Sequence, residues 1–281
     1  MSVSLPRKRR VLRHPSLAVG AVLCALLVAT AAVSLVWTPY PPTDLDIPHK
    51  LALPSAAHWF GTDNLGRDVV SLIMAGARNS ILVGVIAVAI GLIIGTMIGT
   101  LAAAVKGWVE EIAMRLSDFT FAFPAVLSAI MLTAIFGPGI VNSITAIGIF
   151  NIPVFAHVTR ASANAVWTRE FILAARVAGK NKLQITLEHV LPNIMPVIIV
   201  QATIQFATAI LAEAALSYLG LGTQPPQASW GRMLNEAQTL MYQAPRLAIY
   251  PGVAIALSVL GLNLVGDGLR DLLDPRLARR R

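Results

Sequence analysis

The chain has 281 residues, of which 56% are hydrophobic and only 13% charged, with 22 Lys and Arg against 14 Asp and Glu. Soluble domains carry about 25% charged residues, so this composition and a mean hydropathy of +0.70 exclude a water-soluble globular fold and make the lipid bilayer the solvent. The formal charge of +8 and the runs Arg7-Lys8-Arg9-Arg10 and Arg279-Arg280-Arg281 fit membrane orientation and contact with anionic lipid better than nucleic-acid binding.

A helix needs about 20 apolar residues to cross a hydrocarbon layer roughly 30 Å thick, so stretches free of Asp, Glu, Lys and Arg mark the spans. After a basic tail over 1–16, the first span covers 17–37. A basic stretch before it and small residues near 29–32 also fit the apolar region of a cleaved signal peptide, for which this segment is long. The single cysteine, Cys24, lies inside the span, so no intrachain disulfide can form, and it reads as a packing residue. An extracytoplasmic segment over 38–79 begins as extended chain at Pro39, Pro41 and Pro42 and turns at Gly61-Thr62-Asp63. Val69, Val70, Leu72, Ile73 and Ala77 then suggest a helix that lies on the outer surface or leads into the second span. Bracing of the core and contact with a partner are both open readings of this segment.

The second span, within 79–105, carries Gly91, Gly95 and Gly99 every four residues, a small-residue face that lets a neighbouring backbone approach closely. Helix packing within the subunit or against a partner subunit is the preferred reading, a conduit lining the alternative. The 38 residues from 119 to 156 would reach about twice across the bilayer, and Gly137-Pro138-Gly139 breaks them into a third and a fourth span. The loop 160–192 follows. Its residues 169–178 predict a short helix with Phe171, Ala174, Ala175 and Ala178 on one apolar face and Arg169, Glu170 and Arg176 outside it. Gly179 suits the left-handed residue that ends a helix, Lys180 and Lys182 suit its carboxyl end, and Leu191-Pro192 starts the return to the membrane. Such an element is suited to docking against another protein.

The fifth span lies within 190–212 and the sixth within 247–266. Asn151, Gln201, Gln205, Glu213 and Asn263 are the conspicuous polar residues in the spans and the candidates for a translocation pathway, because burying them in lipid is costly. Gln201 and Gln205 share a helix face, fit either to bond passing amides or to bond another helix. Glu213 is expected to pair with a basic group, and Asp267 to cap the sixth helix or to pair with Arg270. Six spans place both termini on one side. Counting the tails with the 106–118 and 160–192 loops gives that side 17 of the 22 Lys and Arg, so by the positive-inside rule it is cytoplasmic.

The chemistry that is absent narrows the function. Gly179-Lys180-Asn181 lacks the upstream glycine and the hydroxyl of a phosphate-binding loop, so the chain has no such device for ATP. The five histidines are scattered and no cysteine pair exists, which argues against a zinc site, and no Gly-x-Ser-x-Gly elbow occurs. No enzyme is legible here.

The loop resembles that of the inner-membrane permeases of binding-protein-dependent ABC importers, which carry Glu-Ala-Ala-x3-Gly-x9-Ile-x-Leu-Pro. The chain matches at Ala174, Ala175, Gly179, Leu191 and Pro192, but has Leu173 in place of Glu and His189 in place of Ile. Phe60 to Asp68, Leu216 to Gly222 with Trp230-Gly231, and Asn263 to Arg276 are similar to the dipeptide and oligopeptide branch. The resemblance implies an all-α, polytopic bundle of six transmembrane spans with the type I ABC importer permease fold and both termini cytoplasmic: a core over 80–267 with the coupling loop 160–192, followed by a tail over 268–281. It implies a multi-pass protein of the bacterial inner membrane that imports dipeptides or oligopeptides. Nickel, glutathione or another small solute is the alternative within the class, and an ATP-independent channel the reading from another class. It further implies a sister permease subunit, two cytoplasmic ATPase subunits that bind ATP and Mg, and an extracytoplasmic substrate-binding protein. This chain itself holds no cofactor. Leu173, Ala174, Ala175, Gly179, Leu191 and Pro192 are then the ATPase-coupling residues.

Overall fold

The computed structural model describes residues 15–123 and 125–273. Helices dominate, and among the described residues the only extended pairing is the isolated bridge between Thr62 and Asp68. The basic tail through His14, the segment from Asp274 on and the Pro275-Arg276 end of the last motif lie outside the described residues.

Helix α1, Pro15–Val33, opens on a proline, whose missing N–H costs nothing in a first helical turn. It packs on the last helix, α10 (Arg246–Leu273), through small residues on both sides. A methyl group added to Gly20 would meet Leu264 Cβ at 2.7 Å, one on Gly261 Leu23 Cβ at 2.8 Å, and one on Gly268 Leu17 Cβ at 2.6 Å. Helix α1 is thus packed closely into the bundle. Cys24 sits half-buried at this contact.

Helix α2 runs unbroken from Val69 to Val105, so the apolar run after residue 69 leads straight into the second span. Its 37 residues reach about 55 Å, well beyond the hydrocarbon layer. The Asp68 carboxylate caps its start by accepting from Ser71 N at 2.8 Å, and Lys106 and Gly107, both with φ of +62°, end it.

The third span departs from the sequence expectation. Helix α3 begins at Trp108 rather than near 119, and α4 (Ala125–Phe136) follows at an angle of 88°. Phe123 is extended, as a residue before proline prefers, and Pro124 follows it in the sequence. Four charges inside α3 are tolerated because each has a partner. Glu110 accepts from Arg160, Glu111 pairs with Arg115 at 2.6 Å, and Asp118 lies 3.1 Å from His157. Among the described residues, five helices are long and apolar enough to cross a bilayer, and counting the bent pair as one span brings the number to six.

After Gly137 and Gly139, both with positive φ, come α5 (Ile140–Trp167), the short α6 (Glu170–Val177), α7 (Lys182–Ile185) and a π-helical turn (Thr186–Val190). The turn runs into α8 (Leu191–Tyr218), and α9 (Trp230–Ala237) precedes α10. Besides a small cluster of Ala102, Met114 and Ala156, the core of the described residues has two centres. One lies among α2, α5 and α8 around Val83, Phe155 and Ile198, and the other joins α1, α2, α8, α9 and α10 around Leu72, Ile210 and Trp230.

Candidate functional site

The loop between α5 and α8 folds as a braced platform. Ile172 and Ala175, three residues apart, point into the first core centre together with Ile185 and Val190. Gly179 adopts φ of +82°. Its N–H reaches Arg176 O at 3.0 Å and the Lys180 N–H reaches Ala175 O at 3.1 Å, the double bond pattern of a Schellman stop. Asn181 and Gln184 cap the next helix reciprocally, at 2.9 and 3.0 Å. Lys180 Nζ donates to the Glu188 carboxylate and lies 3.2 Å from His189 Nε2, whose ring meets Phe171 edge-on. The Arg176 guanidinium sits 5.3 Å from the centre of the Trp167 ring. Pro192 cannot donate to a carbonyl one turn back, and the wide π turn immediately before α8 accommodates that loss.

This geometry corrects the predicted face. Ala175 points inward with Ile172, away from Phe171, Ala174 and Ala178, which are exposed. Leu173 is 54% exposed and Val177 90%, and Leu183 and Leu187 continue the exposed apolar surface onto the next turns. Of the six coupling candidates, Leu173, Ala174 and Gly179 stand on the outer side of the platform. Ala175 anchors it, and Leu191 and Pro192 form its joint to α8.

Of the pathway candidates, Asn151 and Gln205 meet. Gln205 Nε2 donates to Asn151 Oδ1 at 2.8 Å in a buried contact that joins α8 to α5. Gln201, one turn away, is half-buried, and Asn263 is exposed on α10. Glu213 is 1% exposed and, among the described residues, has no cationic partner, contrary to expectation. Its carboxylate accepts from Ser217 at 2.7 Å and from Ser80 and Thr223 at 3.3 Å, tying α8, α2 and the 219–229 loop together. Asp267 is exposed within α10, which runs past it, and forms no ion pair with Arg270.

The glycine face packs inside this subunit. A methyl group at Gly91 would meet Asn151 Cβ at 2.2 Å, at Gly95 Ile152 O at 2.4 Å and at Gly99 Ala156 O at 2.5 Å. Helices α2 and α5 therefore touch backbone to backbone.

The residues from Gly61 to Asp68 are bonded into the segment that precedes α2 and to α9. Asp63 accepts from Leu65 N and Arg67 N at 2.8 Å and from Arg67 Nε at 2.6 Å, and the guanidinium continues to Glu236 at 2.6 Å. Burial alone would lower the Arg67 pKa, but Asp63 and Glu236 together reverse that and hold it above its ordinary range. Asp68 also lies 3.0 Å from His58 Nδ1. The Trp230 indole donates to Ile73 O at 3.1 Å over Gly76, where no side chain would fit.

Comparison with known proteins places this architecture. The family described as binding-protein-dependent transport system inner membrane component matches residues 91–279. The glutathione transport system permease protein GsiD of Escherichia coli O1:K1 / APEC is 43% identical over 270 residues, covering 95% of this chain and 89% of that one. GsiD of Shigella flexneri serotype 5b (strain 8401) is 44% identical over the same shares. Among solved structures, an inward-facing form of the MetNI methionine ABC transporter shares the fold, with a TM-score of 0.62 and 18% identity over 72% of this chain and 97% of that one. The chain belongs to the family of inner-membrane permease components of binding-protein-dependent ABC importers.

Proposed function

We propose that this permease carries glutathione, or a peptide of that size, in preference to longer oligopeptides. The reading rests on the 43% identity to the glutathione permease across 95% of the chain, which favours the small-solute alternative over general dipeptide or oligopeptide import. A sister permease completes the membrane unit, a binding protein delivers the substrate from outside, and two cytoplasmic ATPase subunits bind ATP and Mg. The 170–192 platform docks on the ATPase. Its rigid internal bonding passes ATPase closure into α5 and α8, which it joins, and so drives alternating access. Gln201 is the polar span residue best placed to meet substrate, since Gln205 is committed to Asn151.

Uptake of labelled glutathione by cells expressing the complete transporter, challenged with unlabelled dipeptides and pentapeptides, tests the substrate. Glutathione uptake that resists competition by pentapeptides is expected. Uptake of dipeptides or longer peptides with glutathione ignored overturns the assignment.

A further inference from the structure

Helix α3 (Trp108–Ala122) does not run alongside its neighbours. Glu110 bonds Arg160, Met114 shares a cluster with Ala102 and Ala156, and the Phe121 ring lies 5.7 Å from that of His157. Between Glu110 and Phe121 the helix advances about 16 Å, while its partners on α5 stay within residues 156–160, about 6 Å of that axis. Helix α3 therefore lies across α5. At about 100° per residue, Glu110, Glu111, Arg115 and Asp118 share one arc of α3, and Trp108, Ile112 and Leu116 belong to the other. An amphipathic helix set crosswise on a membrane bundle suits the interface, with its charges toward water and its apolar arc toward hydrocarbon.

Under the apolar arc is a cavity of about 440 Å³, walled by Trp108, Ile112 and Leu116, by Ile98 of α2, and by Ile149 and Ile152 of α5. The α2 and α5 walls come from stretches free of Asp, Glu, Lys and Arg, which places the cavity at hydrocarbon depth. Two hydroxyls reach it, but Ser117 Oγ bonds Ala113 O at 2.9 Å and Thr120 Oγ1 bonds Leu116 O at 3.1 Å, both within α3. A polar solute would gain no side-chain hydroxyl there. Ile112, Leu116 and Ile149 are 49%, 65% and 41% exposed, so the cavity opens on the surface of the subunit.

Size selects the occupant. A neighbouring helix is about 10–12 Å across, and the cavity would hold little more than one turn of it. A methylene needs about the room of a water, roughly 30 Å³, so the same space accepts a chain of about 15 carbons, the length of a membrane acyl chain. Trp108, 74% exposed, stands at the α2–α3 junction beside the exposed Lys106, a pairing suited to the glycerol and phosphate layer.

We propose that the cavity beneath α3 binds one acyl chain of a phospholipid whose headgroup lies at Trp108 and Lys106, so that lipid completes the wall formed by α2, α3 and α5.

The complete transporter, reconstituted in vesicles of phosphatidylethanolamine and phosphatidylglycerol with a trace of phosphatidylethanolamine carrying a diazirine midway along one chain, tests this by photolabelling and peptide mass spectrometry. Ile112, Leu116, Ile149 and Ile152 should label at least about threefold more heavily than Val22 and Leu26, each 59% exposed on α1. Ile149→Trp fills the cavity from a half-exposed position and should cut labelling of α3 at least about fivefold while α1 labels as before. Ile149→Leu should label like the unaltered chain. Cavity residues that label no more heavily than α1, or that label undiminished in Ile149→Trp, overturn the proposal. So does a photoreactive group at position 116 that captures the sister permease instead of lipid.

Discussion

Gln205 Nε2 and Asn151 Oδ1 lie 2.8 Å apart in the bundle interior, directly beside the point where Gly91 lets α2 reach the Asn151 side chain. One amide pair thus fixes three helices at a single level. Gln205→Leu removes the bond and should cost about 1 kcal/mol, lowering the thermal midpoint of the solubilised complex by about 2–4 °C. The KM for uptake should not change. A shifted KM without loss of stability would show that the pair faces substrate.

The glycine face makes a harder demand. At Gly95 the nearest α5 atom to an added Cβ is the backbone oxygen of Ile152, which cannot swing aside. Gly95→Ala should cost about 1–3 kcal/mol, and Gly95→Leu should prevent accumulation of folded chain in the membrane. Quantifying protease-resistant protein in membranes decides this, and normal accumulation of Gly95→Leu would refute the close α2–α5 contact.

Much of this fold is legible in the sequence, because a lipid solvent leaves few ways to satisfy a backbone. The spans, the break at Gly137-Pro138-Gly139 and the short helix ending at Gly179 all follow from hydropathy and residue conformation. The start of α3 does not. Its charges resemble a solvated loop until Glu110 is seen to meet Arg160, 50 residues away. The α6 face is hidden for a similar reason: its alanines fit a docking stripe, whereas the β-branched Ile172, 0% exposed, is the side chain the bundle takes up. Gly20, Gly261 and Gly268 gave a signal for the α1–α10 contact, but their partners lie at the far end of the chain.

The brace before α2 is centred on the Arg67 guanidinium. Arg67 bonds Asp63 and Glu236, both at 2.6 Å, with its side chain 10% exposed. Arg67→Ala leaves Asp63 without its cation and Glu236 with Arg232 alone, at 2.9 Å, and should cost about 3 kcal/mol. Arg67→Lys keeps the charge but not the two-ended reach and should recover only part of it. Limited proteolysis between residues 38 and 68 measures the loosening, and equal resistance of Arg67→Ala and the unaltered protein would show that the brace is dispensable.

Gly179 has open space around it, so a larger side chain there is opposed by backbone conformation alone. Gly179→Val must hold a β-branched residue at φ of +82° or abandon the helix stop, at a cost of about 1–3 kcal/mol confined to the platform. Membrane insertion should be normal while ATP-driven uptake falls at least tenfold. Uptake at the normal rate would remove the platform from the coupling path.

On the proposed coupling, this helical body transports only when an ATPase bound at the 170–192 platform moves it. The most direct measurement is glutathione uptake into vesicles reconstituted with the permease pair and binding protein, with and without the ATPase subunits. Uptake should require the ATPase and hydrolysable ATP together. Solute accumulation at the same rate by vesicles lacking the ATPase would contradict the account.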